Sequence, residues 1–328
     1  MTGNLNRVGQ PEVTPGRPYF SIIMPCYNSE KFIEESIKSV LSQTYDDFEL
    51  VVVDDGSDDS SVAIVERIKS SDSRVRLAQN SHRRGASGAR NCGAQMSVGN
   101  WVCFLDSDDV YAQDALEKRF YHIEEVPDCS FFSCDFFLWT PGSDPELLRQ
   151  TEKNNYWSGF FSRAPKNKSY VLDQDPGLVF IEAPLAWTGG VTISRILFEE
   201  LGGFDESLIR GEDDHLWIRA AVLAGSVALI NEADAYYRLR NDGLSQGAAN
   251  KTPDSPIMVK RLFHDPLLKR YKKSIIKKLD KEYYLLSLCY REQGNRYLAC
   301  KFALKSSFFS GFDYGRIRNL IGSIFLKA

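Results

Sequence analysis

Short apolar runs alternate with segments of helical period along the first 137 residues. FSIIMP (20–25), FELVVV (48–53) and WVCFLD (101–106) are continuously apolar rather than alternating. That pattern belongs to parallel strands covered on both faces. Between the first two, Phe32, Ile33, Ile37, Val40 and Leu41 share one face of a predicted helix, and Ser29 is placed to cap it. Further helices are predicted over 60–69 and 86–97. Strand, crossover helix and strand in repetition predict an α/β fold built on a doubly wound, mostly parallel sheet.

From about 140 to 178 the pattern breaks down. The stretch is rich in Pro, Gly, Asn and Asp, carries Trp157, Phe160 and Phe161, and reads as a long surface excursion of the kind that shapes substrate sites. Order returns with a strand near 190–194 and a helix that opens around 212–215 and stops at Gly225. A pair of strands (227–230 and 235–239) follows, then the polar segment NDGLSQGAANKTPDSP, and then helices alone over 256–328.

Charge divides the chain in the same place. The net charge is −4, yet from residue 255 onward there are 16 Lys+Arg against 5 Asp+Glu, a balance of +11, which leaves −15 on the remainder. Two regions with different tasks are implied. No run approaches the roughly 18 apolar residues of a membrane-spanning helix. The opening MTGNLNRVGQPEVTPGRP has no apolar core of a secretory signal and reads as a disordered leader, 1–18. The seven cysteines (26, 92, 103, 129, 134, 289, 300) are scattered and form no CxxC, which argues for buried reduced thiols and a reducing, cytoplasmic compartment. His82, His122, His215 and His264 lack metal-ligand spacing and read as packed or surface imidazoles.

The candidate chemistry sits at strand ends. FLDSDD (104–109) delivers Asp106, Ser107, Asp108 and Asp109 at the carboxyl edge of a strand, the place where open α/β sheets bind ligands. Carboxylates two apart there can reach one hard divalent cation. Such a cluster is also a common turn before a helix. VVVDDGSDDS (51–60) ends a second strand in Asp54 and Asp55, with Gly56 allowing a tight turn. Asp55 there can accept from a ribose hydroxyl or a base imide, or simply cap a turn. SIIMPCYNSE (21–30) places Pro25, Tyr27 and Asn28 at the same edge. In GASGARNCG (85–93) small residues permit close helix packing and Arg90 supplies a fixed cation. The last segment is not GxGxxG after a first strand, so a dinucleotide fold is disfavoured.

In this order the segments PCYN, LSQTY (41–45), DDGSDD, GASGARN and LDSDD resemble the nucleotide-binding half of the family-2 glycosyltransferases, whose fold is called GT-A. The resemblance continues through LGGFDE (201–206), GEDDHLW (211–217) and YYRLRNDGLS (236–245), to about residue 250. It implies a catalytic domain over 19–250, with a nucleotide-sugar half (19–110) and an acceptor half (111–250), and a basic helical appendage over 251–328. It implies Asp213 as catalytic base with Glu212 beside it. Pro25, Tyr27, Asn28, Asp55, Arg90, Asp106 and Ser107 are then donor-binding, and Asp108 with Asp106 holds Mn²⁺ or Mg²⁺. A His commonly stands in the family where Arg240 stands here, so Arg240 is assigned to the diphosphate with that departure noted. Independently of the resemblance, Glu212, Asp213 and Asp214 open a helix, where acids are favoured by the helix dipole whatever their role.

The expected reaction is a single displacement in which a sugar passes from a nucleotide sugar, by family custom a UDP-sugar, to an acceptor hydroxyl with inversion. The expected acceptor is a saccharide or lipid-linked saccharide, contacted by Trp187, Thr188 and Asp214, because aromatic faces suit sugar rings. No nucleic acid partner is implied. The basic tail 256–328 is read either as helices packed on the catalytic domain or as a peripheral contact with anionic membrane. Two other functions compete. A sugar-1-phosphate nucleotidyltransferase shares the sheet, although its Gly-rich loop after the first strand is missing. A non-catalytic nucleotide-sugar-binding scaffold is opposed by the intact acidic motifs.

Overall fold

The computed structural model describes residues 15–140, 148–165, 168–240 and 255–310. Ten strands form one sheet: β1 (Phe20–Cys26), β2 (Phe48–Asp54), β3 (Val75–Gln79), β4 (Trp101–Phe104), β5 (Val110–Tyr111), β6 (Phe131–Trp139), β7 (Leu148–Arg149), β8 (Ser169–Leu172), β9 (Val191–Ser194) and β10 (Val227–Arg238). Their order is β3-β2-β1-β4-β9-β6-β10-β5, with β7 on β6 and β8 on β10. The pairs β3–β2, β2–β1, β1–β4 and β6–β10 are parallel, whereas β9 runs antiparallel to both β4 and β6. The helices are α1 (Ile33–Leu41), α2 (Ser61–Lys69), α3 (Ala86–Met96), α4 (Ala115–Glu125), α5 (Gln150–Lys153), α6 (Asn155–Phe161), α7 (Pro176–Glu182), α8 (Arg195–Glu200), α9 (Glu212–Ala224), α10 (Ser255–His264), α11 (Lys272–Glu292) and α12 (Arg296–Ser310).

Continuous apolarity in β1 and β2 has the expected cause. Phe20, Ile22, Met24 and Cys26 of β1 join Ile33, Ile37 and Val40 of α1 in the main core. Ile23, pointing the other way, lies under α3. A Cβ at Gly93 would meet Ile23 and Val53, so only glycine lets α3 lie this close to the sheet. Both faces are therefore dry, and the run cannot alternate.

Four expectations are corrected. Ser29 does not cap α1 with its side chain: the helix starts after Phe32, and the Ser29 hydroxyl is bonded to Ser107 instead. The strand pair 227–230 and 235–239 is one strand, β10, whose register on β6 shifts between Ile230 and Ala233 and again before Tyr236. Those irregularities put polar Asn231 and Glu232 in mid-strand and give the appearance of a break. The stretch 140–178 is not a bare excursion where it is described, because it contains β7, α5, α6, β8 and part of α7. Its Trp157 and Phe161 are buried and stacked on each other, with centroids 5.2 Å apart. Finally, the apolar pattern gives no sign of β3 and β6. VRLAQ is short and half polar because β3 ends the sheet order, and β6 is an apolar run with serine, cysteine and aspartate within it.

Beneath the carboxyl edge lies a buried ion pair. Arg119 Nε donates to Asp234 at 2.6 Å, and the guanidinium also reaches the Tyr111 hydroxyl (3.0 Å) and the Gly189 carbonyl (2.7 Å). Losing one partner of such a pair leaves an uncompensated charge, at about 3–5 kcal/mol. The pair ties α4 to β10 and β5 and fixes the floor under the β4–β5 turn.

The described residues group into two compact units: residues up to 209 with 216–239, which hold the sheet, and 210–215 with those from 240 onward. In the second unit Leu262, Ile275, Leu279, Leu286 and Phe302 form the buried seam of α10–α12, joined by Leu268 from the 3-10 turn Pro266–Tyr271. Tyr283 and Tyr290 stack on Phe302, and Ser306 donates to buried Asp280 at 2.8 Å. All seven cysteines are free and six are buried. No helix among the described residues is long and apolar enough to cross a membrane.

Candidate active site

Parallel pairing of β2, β1 and β4 brings three loops to one edge. The Asp55 amide donates to the Cys26 carbonyl (2.8 Å), and the Leu105 amide donates to Ile23 (3.1 Å). Pro25, Tyr27, Asn28, Asp55, Asp106, Ser107 and Asp108 thus share the carboxyl edge of the sheet, and Arg90 joins them from α3.

The side chains divide into holders and presenters. Asp54, buried, accepts from the amides of Gly56 and Ser57 and shapes the turn after β2. Gly56 has φ of 90°, a conformation that strains any residue with a Cβ. Asn28, with φ of 48°, donates its amide to Ser57 Oγ and accepts from the Asp58 amide at 2.9 Å, joining the β1 and β2 loops. Ser107 is buried; its hydroxyl meets Ser29 at 2.7 Å and its carbonyl accepts from Ser36 at 2.9 Å. These contacts pin the 105–109 turn to the segment leading into α1. Tyr27, by contrast, is 58% exposed and offers a ring at the edge.

Asp55 is half-buried. One oxygen accepts from Asn80 Nδ2 (2.6 Å) and the other from the Gly85 amide (2.8 Å). Asp106 and Asp108 are half-buried too. Arg90, nearly buried, donates to Asp106 at 2.6 Å and lies 5.4 Å from the Phe204 ring centroid. Asp109 is buried and accepts the Arg238 amide at 2.8 Å. Burial, and then the neighbouring Asp106 and Asp108, push its carboxyl well above the usual carboxylate range. Arg238 also donates to the Asp108 carbonyl (2.6 Å) and to Glu35 (2.6 Å), with its guanidinium 4.2 Å from the Trp139 ring centroid. Neither Asn80 nor Arg238 stood out in the sequence, because nothing local to them names their partners.

Among the described residues no group of three or more His, Cys, Asp and Glu side chains is arranged to hold a metal. The edge instead offers two half-buried carboxylates, Asp106 and Asp108. This oxygen-only set fits a hard divalent cation that completes its shell with phosphate oxygens and water.

Trp187 is half-buried against Phe136 (4.5 Å between centroids) and Tyr237 (5.6 Å). Thr188 is buried at the start of a 3-10 turn. Glu212, Asp213 and Asp214 belong to the second unit, at the amino end of α9, and Arg240 is half-buried there. The Asp214 amide donates to Asp213 Oδ1 at 2.8 Å. Burial and the adjacent Asp213 push the Asp214 carboxyl up to about 7. Lys278 opposes this, while Glu212 and Glu282 add to it.

The strand order and the acids at its carboxyl edge define a GT-A fold. A solved structure of Staphylococcus aureus TarS (1–349) in complex with UDP superposes with a TM-score of 0.58 at 17% identity, covering 90% of this chain and 92% of that one. The mannosyltransferase PcManGT from Pyrobaculum calidifontis, in complex with GDP-Man and Mn2+, gives a TM-score of 0.54 at 18% identity, covering 98% and 90%. The sequence profile of Glycosyl transferase family 2 matches residues 21–181. TuaG of Bacillus subtilis (strain 168), named as a teichuronic acid biosynthesis glycosyltransferase, is 30% identical over 73% of this chain and 88% of its own length. This chain belongs to glycosyl transferase family 2. The Escherichia coli UDP-Glc:alpha-D-GlcNAc-diphosphoundecaprenol beta-1,3-glucosyltransferase WfgD is 47% identical over 30% of this chain and 38% of itself. An uncharacterized Haemophilus influenzae glycosyltransferase is 44% identical over 31% and 41%. The chain thus spans about two fifths of the length of these two relatives.

The Asp214 carboxyl yields a stability prediction. Its folded pKa lies above its unfolded one, so the native state holds a proton that the unfolded state has released, and stability falls as pH rises from about 4 to 7. Asparagine carries no such linkage. In thermal unfolding, Asp214→Asn should gain on the wild type as pH rises, with the larger gain at pH 8. An equal difference at pH 4 and pH 8 would show that Asp214 titrates normally.

Proposed function

We propose that this protein is an inverting glycosyltransferase that moves a sugar from a UDP-sugar to a hydroxyl of a saccharide or lipid-linked saccharide. The observation that carries the proposal is the delivery of Asp55, Asp106 and Asp108 to one sheet edge from the ends of the two strands that flank β1, with Arg90 bonded to Asp106. Names of relatives support the finer choice, since WfgD pairs a UDP-Glc donor with a beta product on a diphosphoundecaprenol-linked sugar.

In this reading Asp55 accepts from the nucleoside, and Tyr27 and Pro25 form the wall beside it. Asp108, with Asp106, holds Mn²⁺ or Mg²⁺, which when bound neutralises the leaving diphosphate. Arg90 holds Asp106 in place through their 2.6 Å ion pair. Arg240 is assigned to the donor phosphates, where a guanidinium suits bidentate contact. Asp213 removes the acceptor proton as the hydroxyl attacks the anomeric carbon, with Glu212 and Asp214 beside it. Trp187, backed by Phe136 and Tyr237, offers the acceptor sugar an aromatic face, and Thr188 fixes the turn that carries it.

The second unit adds a peripheral membrane contact to the proposal. Much of the apolar seam of α10–α12 is buried in packing, and exposed Lys269, Arg270, Lys272, Lys273, Lys277 and Lys281 offer attraction to anionic lipid. Each cation close to an anionic surface contributes about 1 kcal/mol, enough in number for reversible attachment. The cytoplasmic face of a cell membrane is the matching location. Liposome co-sedimentation should rise with anionic lipid and fade at high salt. Protein left in the supernatant at low salt on strongly anionic vesicles would make the tail structural only.

The transfer itself is tested with a panel of UDP-sugars, Mn²⁺ and a diphosphoprenyl-linked GlcNAc acceptor, the product anomer being read by NMR. A β-linked product is expected with at least one donor. Asp213→Asn should bind donor normally and lose at least roughly 100-fold in turnover. An α-linked product would overturn inversion. A near-wild-type rate in Asp213→Asn would move the base to Glu212 or Asp214.

A further inference from the structure

The LGGFDE segment (201–206) lies outside the chemistry assigned so far, yet it ends on a hub. Glu206 Oε1 meets His82 Nδ1 at 2.8 Å and accepts from Asn91 Nδ2 at 2.8 Å, while Oε2 accepts the Arg83 amide at 3.1 Å. Asn91 closes the arrangement by donating to the Phe204 carbonyl and accepting from the Phe204 amide, both at 2.9 Å. His82 Nε2 meets Gln95 of α3 at 3.0 Å. One carboxylate thus gathers the segment after α8, the body of α3 and the loop between β3 and α3.

That loop is the one that holds Asp55. Its first residue, Asn80, and its last, Gly85, supply the two hydrogen bonds to the Asp55 carboxylate, and Arg84 donates to the carbonyls of Asp55 and Gly56. Within the loop the His82 amide donates to Asn80 Oδ1 (2.9 Å) and Asn80 Nδ2 also reaches the Arg83 carbonyl (3.2 Å). The far side of the loop rests on Gly88, where a Cβ would collide with the Arg83 carbonyl. The small residues of GASGARN therefore admit the loop as well as the sheet. Six residues are clamped between Asp55 on one side and Glu206 on the other.

We propose that Glu206, with His82 and Asn91, is a positioning residue that holds the β3–α3 loop in the conformation presenting Asp55 to the donor nucleoside. The proposal rests on the donor-site reading above and extends it to a residue that does not touch the donor. Charge suits the task. Glu206 lies between an imidazole and a main-chain amide, and charge-assisted bonds of this kind are roughly twice as strong as neutral ones.

The test compares the full-length wild type with Glu206→Ala, Glu206→Gln and His82→Ala. UDP affinity is measured by calorimetry with Mn²⁺, and KM for donor and kcat are measured in the transfer assay. Glu206→Ala should weaken UDP binding and raise donor KM about tenfold, the scale of one lost charged hydrogen bond, with kcat within about twofold. Glu206→Gln keeps an acceptor and an equal volume and should recover most of the affinity. His82→Ala removes the ring that meets Glu206 and Gln95 and should weaken binding by about threefold, which keeps the test alive if Glu206→Ala does not fold. Unchanged UDP affinity in folded Glu206→Ala, or in His82→Ala when the former does not fold, overturns the proposal. A fall in kcat at constant KM overturns it too. Absence of UDP binding to the wild type would instead overturn the donor-site reading.

Discussion

Crowding of negative charge at the ends of β2 and β4 is the constraint around which the rest of the sheet edge is arranged. Asp54, Asp55, Asp106, Asp108 and Asp109 emerge from strands that are neighbours of β1. Like charges at such spacing repel by an amount that grows as water is excluded. Each acid is accommodated differently. Asp54 is spent on the Gly56 and Ser57 amides, Asp106 on Arg90, and Asp109 is buried with its carboxyl shifted toward the neutral form. Asp55 accepts two hydrogen bonds and stays half-buried, while Arg238 fixes the Asp108 main chain. Asp108, beside the Arg90-bonded Asp106, makes a pair of carboxylates suited to a divalent cation, and Asp55 is a third suited to a nucleoside.

The second unit solves a related problem with the opposite ingredients. Glu212, Asp213 and Asp214 crowd the amino end of α9, where main-chain dipoles favour anions. Lys278 on α11 lowers the proton affinity of Asp214 against the combined effect of burial and the three neighbouring acids. Of the basic residues on α11, Lys278 thus opposes the charge of the acidic triplet.

Much of the fold was legible because β1, β2 and β4 are buried on both faces and the helices between them carry clean apolar stripes. What escaped has physical reasons. β3 ends the sheet order and is half polar; β10 changes register on β6 where Asn231 and Glu232 interrupt the apolar run. Trp157 and Phe161 lie in a polar stretch whose composition outweighed two aromatic residues that pack inward. At the site, the strand-end acids were visible from their motifs. The residues that hold them were not. Ser107 meets Ser29 across 78 positions, Glu206 meets His82 across 124, and Arg238 meets Asp108 across 130. A single sequence carries no trace of such pairings, and the left-handed backbone of Asn28 becomes intelligible only once its bonds to Ser57 and Asp58 are seen.

The central claim is that the donor diphosphate is bound at these strand ends through a divalent cation on Asp108. Isothermal titration of UDP into the full-length protein, with Mn²⁺ and then in excess EDTA, tests it most directly when repeated on Asp108→Ala. Binding should be tight with the metal and lost without it, and Asp108→Ala should bind no better with Mn²⁺ than the wild type does in EDTA. Equal UDP affinity in all four conditions would contradict the account.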